Sequence, residues 1–292
     1  MRNGFLRASG MGLVGLMVLS LTATQDASAS VMGNEGNFSD WQMIRGQHFI
    51  IHIEDRNYFG GKKILQKAEN TYSRLSSAFG YSDRTWLGEK RCRIFVYRTK
   101  RSYLAGTHRP EWSNASSSFA EEGPMVQGYL ESPTLLEAEL PHEIAHLIFR
   151  EHVGTDNLEV PLWLDEGIAL WSEGAADPSA SRKICSLKNV VAEKAASDEL
   201  IPLERLNEVR AGMAFPGWAS QESVSLFYAQ SYSLVNYLIH EYGQPRFAEF
   251  LKQLEAQRSV EDSLKKNYGV FFRDLSSFEK EWTGSVQSTR SS

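Results

Sequence analysis

The stretch Pro141-His142-Glu143-Ile144-Ala145-His146 is the part of the sequence that decides the fold. It has the pattern H-E-x-x-H, in which two histidines are four positions apart and a glutamate follows the first. An α-helix turns about 100° per residue, so His142 and His146 would lie about 40° apart on one face. Two such imidazoles can reach one cation, and Glu143 can reach a water bound to it. The stretch therefore predicts a helix that holds zinc and presents a carboxylate.

The residues around the motif are mostly apolar, which predicts a helix that is buried on more than one side. These apolar neighbours are Leu135, Leu136, Leu140, Ile144, Ala145, Leu147, Ile148 and Phe149. Histidines and a glutamate inside such a helix need partners, because an unpaired buried polar group is costly. A bound metal ion would satisfy all of them. The alternative is an ordinary helix that carries the three residues by chance.

A catalytic zinc site usually takes three protein ligands and leaves a fourth position to water. His152 stands where the longer pattern H-E-x-x-H-x-x-G-x-x-H would place the third ligand, but the glycine of that pattern is Phe149 here. Without the glycine the helix continues and turns His152 about 240° away from His146. We therefore expect that His152 does not bind the metal.

Glu166 is the better candidate for the third ligand. It lies in Pro161-Leu162-Trp163-Leu164-Asp165-Glu166-Gly167, where Pro161 suits the first turn of a second helix. The two helices would be antiparallel neighbours, and Gly167 would permit a close approach. The flanking tryptophan and leucines argue against a merely solvated carboxylate. We predict that Glu166 completes the ligand set with the two histidines.

The pattern H-E-x-x-H followed by P-x-W-x-x-E-G resembles the gluzincin metallopeptidases, in particular the bacterial peptidase MA family. Residues 41–54 are similar to that family's first strand and residues 227–238 to its downstream helix, so the resemblance covers most of the chain. It implies an α+β fold. A small N-terminal sheet with helices would precede a mainly helical C-terminal lobe, and the two would flank a zinc cleft.

The resemblance also implies roles for individual residues. Zn²⁺ would be bound by His142, His146 and Glu166. Glu143 would be the general base and acid, and a tyrosine on the later helix would stabilise the oxyanion. Tyr228 matches that tyrosine, and Tyr232, one turn further on, stays an alternative.

The chain departs from the family's pattern at one position beside the ligands. Many gluzincins carry an acidic residue one turn after the ligand glutamate, where it supports a ligand histidine, and this chain has Leu170 there. Asp165 is the substitute that we consider. A carboxylate partner orients an imidazole and raises its basicity, so this position bears directly on metal binding.

The N-terminus has the features of an export signal. Arg2 and Arg7 supply positive charge, residues 11–21 form an apolar run, and Ala27-Ser28-Ala29 suits cleavage. We predict a signal peptide at residues 1–29 and a bacterial protein that is periplasmic or secreted. An uncleaved anchor is the alternative, although the apolar run is too short to span a bilayer comfortably. After cleavage we expect no stable membrane insertion.

The composition restricts the partners. A formal net charge of −5 argues against nucleic acid as a partner. A peptide or protein substrate is expected, and the oligomeric state is left open. The chain has two cysteines, Cys92 and Cys185. Export would permit a disulfide between them, and two unpaired thiols are the alternative.

Periodicity predicts the order of the elements. Strand patterns occur at residues 47–54, 93–97 and 125–130, helix patterns at 62–79, 101–105 and from 133 onward, and residues 111–123 read as a loop. We predict a single metallopeptidase domain at residues 30–285, with a sheet-bearing lobe at 40–150 and a helical lobe at 155–285. Residues 286–292 would be a disordered tail.

Residues 125–130 have two possible roles. They would form either the cleft-edge strand that pairs with an extended substrate, as in gluzincins, or an ordinary interior strand.

The predicted reaction is zinc-assisted hydrolysis of a peptide bond. One alternative is a non-catalytic zinc-containing peptide-binding or structural protein of the periplasm. Glu143 argues against it, because a structural zinc has no use for that carboxylate and usually takes four protein ligands. The other alternative is a zinc hydrolase that acts on a non-peptide bond, because the shape of the pocket sets the substrate.

Overall fold

The computed structural model describes residues 41–81, 86–154, 160–176, 181–211, 215–217, 220–256 and 258–289. The predicted signal peptide at residues 1–29 lies outside this part of the chain. Within it, no helix combines the length and the apolar character that crossing a membrane requires.

A five-stranded mixed sheet forms the N-terminal part. Its strands are β1 (Gln42–Arg45), β2 (Phe49–Ile53), β3 (Cys92–Tyr97), β4 (Ser116–Ala120) and β5 (Gly123–Tyr129). They lie in the order β1-β2-β3-β5-β4. The three central strands are parallel, and β1 and β4 pair antiparallel at the two edges.

Alternating side chains explain how the sheet covers the core. Phe49, Ile51 and Ile53 of β2 are fully buried on the face that packs against helix α1 (Gly61–Phe79). Parallel strands need a crossover connection, and α1 provides it between β2 and β3. The helix ends at Gly80, whose φ of 68° is the left-handed conformation that glycine adopts without strain.

The remainder of the described chain is mainly helical. Its helices are α2 (Lys100–Thr107), α3 (Leu140–Val153), α4 (Leu162–Ala176), α5 (Ser181–Ala196), α6 (Leu203–Leu206), α7 (Gln221–Tyr242), α8 (Gln244–Glu255), α9 (Val260–Tyr268) and α10 (Leu275–Thr289). One hydrophobic cluster contains buried side chains from the sheet and from helices α3 to α10, including Phe49 of β2 and Trp163 of α4. The α+β prediction is confirmed.

Helices α4 and α7 approach each other at Gly167. A Cβ atom at this position would collide with the carbonyl oxygen of Ser231 and lie 2.6 Å from Cγ2 of Val235. Only glycine lets two helical backbones come this close. The contact fixes α4, and with it the carboxylates that α4 carries.

Two parts of the sheet differ from the prediction. The strand predicted at residues 47–54 is β2, but residues 42–45, which the resemblance joined to it, form the separate strand β1. The turn between them is closed by a hydrogen bond from Gly46 N to Phe49 O at 2.8 Å. The predicted loop at residues 111–123 contains β4, which the sequence hides because its serines lack apolar alternation. Strand β5 therefore lies inside the sheet, between β3 and β4, so residues 125–130 are not the edge.

The described C-terminal residues are helical rather than disordered. Residues 286–289, which we expected in a disordered tail, form the last turn of α10. Val286 packs against the core, and Nε2 of Gln287 donates to the carbonyl oxygen of Ala195 at 3.0 Å.

The two cysteines are not joined by a disulfide. Cys92, buried in β3, and Cys185, exposed on α5, are free thiols.

Candidate metal centre

Helix α3 carries the H-E-x-x-H motif and begins directly after a π-helical turn, Leu135–Glu139, with Pro141 in its first turn. The side chains of His142, Glu143 and His146 are buried, at 7%, 5% and 2% exposure. The residues from Leu140 to Phe149 are all buried, so the helix is covered on every side, as its apolar sequence predicts.

The three predicted ligands come together between α3 and α4. Nε2 of His142 lies 3.0 Å from Nε2 of His146, and Oε2 of Glu166 lies 3.6 and 3.7 Å from these two atoms. The ligand atoms of all three residues lie within 4.8 Å of one another. A single metal ion could therefore contact all three side chains.

Each imidazole is oriented by a carboxylate on α4. Nδ1 of His146 donates to Oδ1 of Asp165 at 2.6 Å, and Nδ1 of His142 donates to Oε1 of Glu173 at 2.8 Å. Since a carboxylate accepts, the hydrogen lies on Nδ1 and each neutral ring presents a lone pair at Nε2. Two lone pairs that face each other at 3.0 Å repel, and a shared positive charge removes the repulsion.

A buried oxygen of the third ligand supports the same conclusion. Oε1 of Glu166 has no hydrogen-bond partner within the described chain, and the side chain is 1% exposed. Burying an unpartnered carboxylate oxygen is costly. Nitrogen and carboxylate ligands in this number suit Zn²⁺, so the residues present fit the metal that the sequence predicts.

Each orienting carboxylate is itself paired with a cation. Arg150 donates to Oδ2 of Asp165 from Nε at 2.8 Å and from Nη2 at 2.7 Å. Nζ of Lys183 on α5 lies 2.6 Å from Oε2 of Glu173. Burial raises the pKa of each carboxyl group, but the neighbouring cations and imidazoles outweigh it, so the pKa of Asp165 and that of Glu173 lie below their usual values.

The centre attracts positive charge. Burial alone would lower the pKa of His146, but Asp165 and Glu166 raise it to about 9. Burial raises the pKa of Glu166, partly offset by the two imidazoles.

The candidate base is held from the sheet. Oγ of Ser117 on β4 donates to Oε2 of Glu143 at 2.6 Å. Ser117 was not predicted, because residues 111–123 have the polar composition of a loop. No local pattern identifies this contact, since it depends on the antiparallel pairing of Ser117 with Val126 of β5.

Glu173 was missed as well, although the sequence held a signal for it. It follows Glu166 by seven positions, which places it about 20° away on the same helix face. Leu170, where an acid was expected, is fully buried in the core. Asp165, the substitute that we considered, contacts His146, and Glu173 serves His142.

The rejected ligand lies elsewhere. The ring of His152 stacks on Tyr81, with centroids 3.4 Å apart and planes 12° from parallel. Burial lowers the pKa of His152 to about 4. Among the residues that the structure describes, the group that could hold a metal consists of the two motif histidines and Glu166.

Both candidate tyrosines are buried on α7, which packs against α4. Ser231 and Val235 mark the side of α7 that meets Gly167. Tyr228 lies about 40° from the middle of that side and Tyr232 about 80°. The hydroxyl of Tyr232 donates to Oδ1 of Asn236 at 3.4 Å.

The environment of Tyr232 includes a second helix. Burial and the nearby Cys185 of α5 raise the pKa of Tyr232 to about 12. Of the two tyrosines, Tyr228 lies closer to the side of α7 that meets α4.

A buried His-His-Glu group on two packed helices, with a glutamate beside it, could hold one metal ion. The sequence profile of the Peptidase MA superfamily matches residues 137–288, more than half of the chain. The chain belongs to this superfamily. No curated protein matches the chain.

Similar solved structures include yeast LTA4 hydrolase in complex with bestatin, at 16% identity and a TM-score of 0.46, covering 79% of this chain and 37% of that one. Native yeast LTA4 hydrolase has 14% identity and a TM-score of 0.45, covering 82% and 38%. Native leukotriene A4 hydrolase from Saccharomyces cerevisiae has 17% identity and a TM-score of 0.46, covering 84% and 39%. The chain spans less than half the length of these structures.

Proposed function

We propose that the protein is an exported zinc metallopeptidase that hydrolyses peptide bonds. One observation carries the proposal: the ligand atoms of His142, His146 and Glu166 converge within 4.8 Å on the helix pair that also presents Glu143. Membership of the Peptidase MA superfamily supports the same class of reaction. The substrate is a peptide or a protein.

The two Nε2 atoms and the Glu166 carboxylate would hold the zinc ion, and three protein ligands leave a fourth position open. Zinc bound there would polarise the scissile carbonyl and lower the pKa of its water from about 15.7 to about 7. Asp165 and Glu173 keep the hydrogens of the imidazoles on Nδ1, so that both Nε2 atoms stay available.

Glu143 moves the proton. Its carboxylate takes a proton from the attacking water as the new C–O bond forms, and gives it to the leaving amine nitrogen as the C–N bond breaks. Ser117 occupies Oε2 of this carboxylate, which leaves Oε1 to meet the water. Tyr228 would donate to the oxyanion, a contribution of about 3–4 kcal/mol for one donor.

Strand β4 suits an extended substrate. It forms the edge of the sheet in the described chain and lies against α3, so it borders the metal centre. A peptide that added to this edge would be held by main-chain hydrogen bonds, which give affinity without reading side chains. In this proposal β4, rather than residues 125–130, is the edge strand that pairs with the substrate.

The decisive experiment is digestion of a peptide library by the purified protein, with and without a chelator. We expect cleavage that the chelator abolishes and zinc restores. The variant Glu143→Gln should keep a full complement of zinc and lose at least about 100-fold in turnover, since it cannot accept the proton. Full activity of this variant would refute the mechanism. Stoichiometric zinc without any cleavage would instead favour the non-catalytic or non-peptide alternatives.

Metal content tests the ligand set separately. His142→Ala and Glu166→Ala should purify without zinc, because each removes one of three ligands. His152→Ala is the matched control and should keep zinc, since its ring packs on Tyr81. Loss of zinc in the control alone would restore the ligand set that we rejected.

Two finer parts of the proposal need their own tests. Tyr228→Phe should lower turnover with zinc retained, and Tyr232→Phe should not. Export stays a prediction from residues 1–29, and recovery of the protein from the periplasm or the medium, shortened at its N-terminus, is the expected result.

A further inference from the structure

Lys183 reaches the metal centre from α5, a helix that carries no predicted ligand. Its Nζ lies 2.6 Å from Oε2 of Glu173, whose Oε1 accepts the hydrogen bond from Nδ1 of His142 at 2.8 Å. We propose that Lys183 is a positioning residue that acts through Glu173 to hold the His142 imidazole in its metal-binding orientation. The inference rests on the proposed function in one respect, because it takes His142 as a ligand.

The geometry explains why Glu173 needs Lys183. The Glu173 side chain is fully buried, and each of its two oxygens has a different partner. Removing one partner of a buried charge pair is strongly destabilising, because the remaining charge is left uncompensated. Without the ammonium group, the carboxylate would turn toward another donor or toward water. The imidazole that it orients would then lose its fixed direction.

The other imidazole shows a different solution. Asp165 orients His146 and is held by Arg150, which stands four residues after His146 on the same helix. That arrangement is complete within α3 and α4. The arrangement around His142 is complete only when α5 is in position.

The position of α5 depends on distant parts of the chain. It packs against α7 and α10, and its Ala195 carbonyl accepts a hydrogen bond from Gln287 of α10. Lys183 therefore links metal binding by His142 to the packing of the C-terminal helices. A disturbance of α5 would weaken that ligand and leave the His146 side of the centre intact.

The test measures zinc affinity by chelator competition on the full chain. Lys183→Met removes the charge and keeps the length of the side chain, and it should weaken zinc binding about tenfold or more, as loss of an outer partner of a ligand does. It should also change the visible spectrum of the cobalt-substituted protein. Lys183→Arg should restore both, because it keeps the charge. Lys188→Met, an exposed lysine on the same helix, is the matched control and should change neither.

A double-mutant cycle shows whether the effect passes through Glu173. Glu173→Gln should weaken zinc binding at least as much as Lys183→Met, and the double variant no more than Glu173→Gln alone, because the two residues act in series. Additive losses would refute the proposal. So would a Lys183→Met variant with unchanged zinc affinity, or a Lys183→Arg variant that restores the unfolding midpoint of the metal-free protein but not zinc affinity.

These outcomes are separate from the fate of the proposed function. A wild-type protein that binds zinc and cleaves no peptide would refute the peptidase and leave the affinity comparison valid. A wild-type protein that binds no zinc would refute both.

Discussion

The helices and the sheet contribute to the candidate site in different ways. Helices α3 and α4 carry the three predicted ligands and the two carboxylates that orient the imidazoles. The sheet contributes Ser117, which holds the candidate base. In the proposed mechanism, metal binding would depend on how the two helices are placed, and proton transfer would depend also on the edge of the sheet. The two functions should separate under mutation.

The largest effect is expected from forcing α4 away from α7. Gly167→Ala places a methyl group against the Ser231 carbonyl, and we expect a loss of about 1–3 kcal/mol in the free energy of unfolding, as for overpacked cores. Zinc affinity should fall with it, because α4 carries Glu166. Urea unfolding and chelator competition measure the two.

Gly174→Ala is the matched control on the same helix. Its Cβ would meet side-chain atoms of Ile184 at 3.2 and 3.3 Å, which can give way, so the stability should stay within about 1 kcal/mol of wild type. If Gly167→Ala were as stable as this control, the close helix contact would not be what fixes α4.

The next largest effect is a loss of zinc affinity that involves helices α3 and α4 alone. Asp165→Asn removes the charge that pairs with Arg150 and weakens the hydrogen bond from Nδ1 of His146, so zinc affinity should fall about 10- to 100-fold. Glu249→Gln, an exposed carboxylate on α8, should leave the affinity unchanged. An unchanged affinity in Asp165→Asn would show that the helix pair fixes His146 without this carboxylate.

A smaller effect is expected from the sheet side. Ser117→Ala removes one hydrogen bond to the carboxylate, worth about 0.5–1.5 kcal/mol net, so kcat should fall by up to about tenfold while zinc content is unchanged. Ser118→Ala is the control, because the next residue of a strand points to the opposite face. A loss of zinc in Ser117→Ala would contradict the division between helices and sheet.

The smallest effect is expected from a reducing agent, which would break any disulfide between the sheet and helix α5. Cys92 lies in the sheet and Cys185 on α5, and both are free thiols. A reducing agent should therefore leave the unfolding midpoint unchanged, because no covalent bond joins these two cysteines. A clear drop in the midpoint on reduction would show that a disulfide joins them.

The centre shows which contacts a sequence can predict. His142 and His146 were predicted from their spacing of four on a single helix, and the spacing of seven between Glu166 and Glu173, which we did not use, carries the same kind of signal. Glu166 required a second helix to be antiparallel to the first, and its apolar neighbours indicated that. Such contacts are local or involve one pairing of helices.

Ser117 and Lys183 could not be predicted in this way. Each lies on an element that carries no ligand, and its contact depends on the packing of that element against distant parts of the chain. Strand β4 also lacks the apolar alternation that identifies strands, because it is a serine-rich edge. Long-range register leaves no trace in local periodicity.

The facing imidazoles also bear on the stability of the folded protein in the absence of substrate. A zinc ion held between α3 and α4, as proposed, would join two segments that are separate in the unfolded chain, so it would bind the folded form and stabilise it by mass action. At a free zinc concentration 100 times the dissociation constant, that stabilisation is about 2.7 kcal/mol. The supply of zinc in the compartment where the chain folds would then set how much of it escapes degradation.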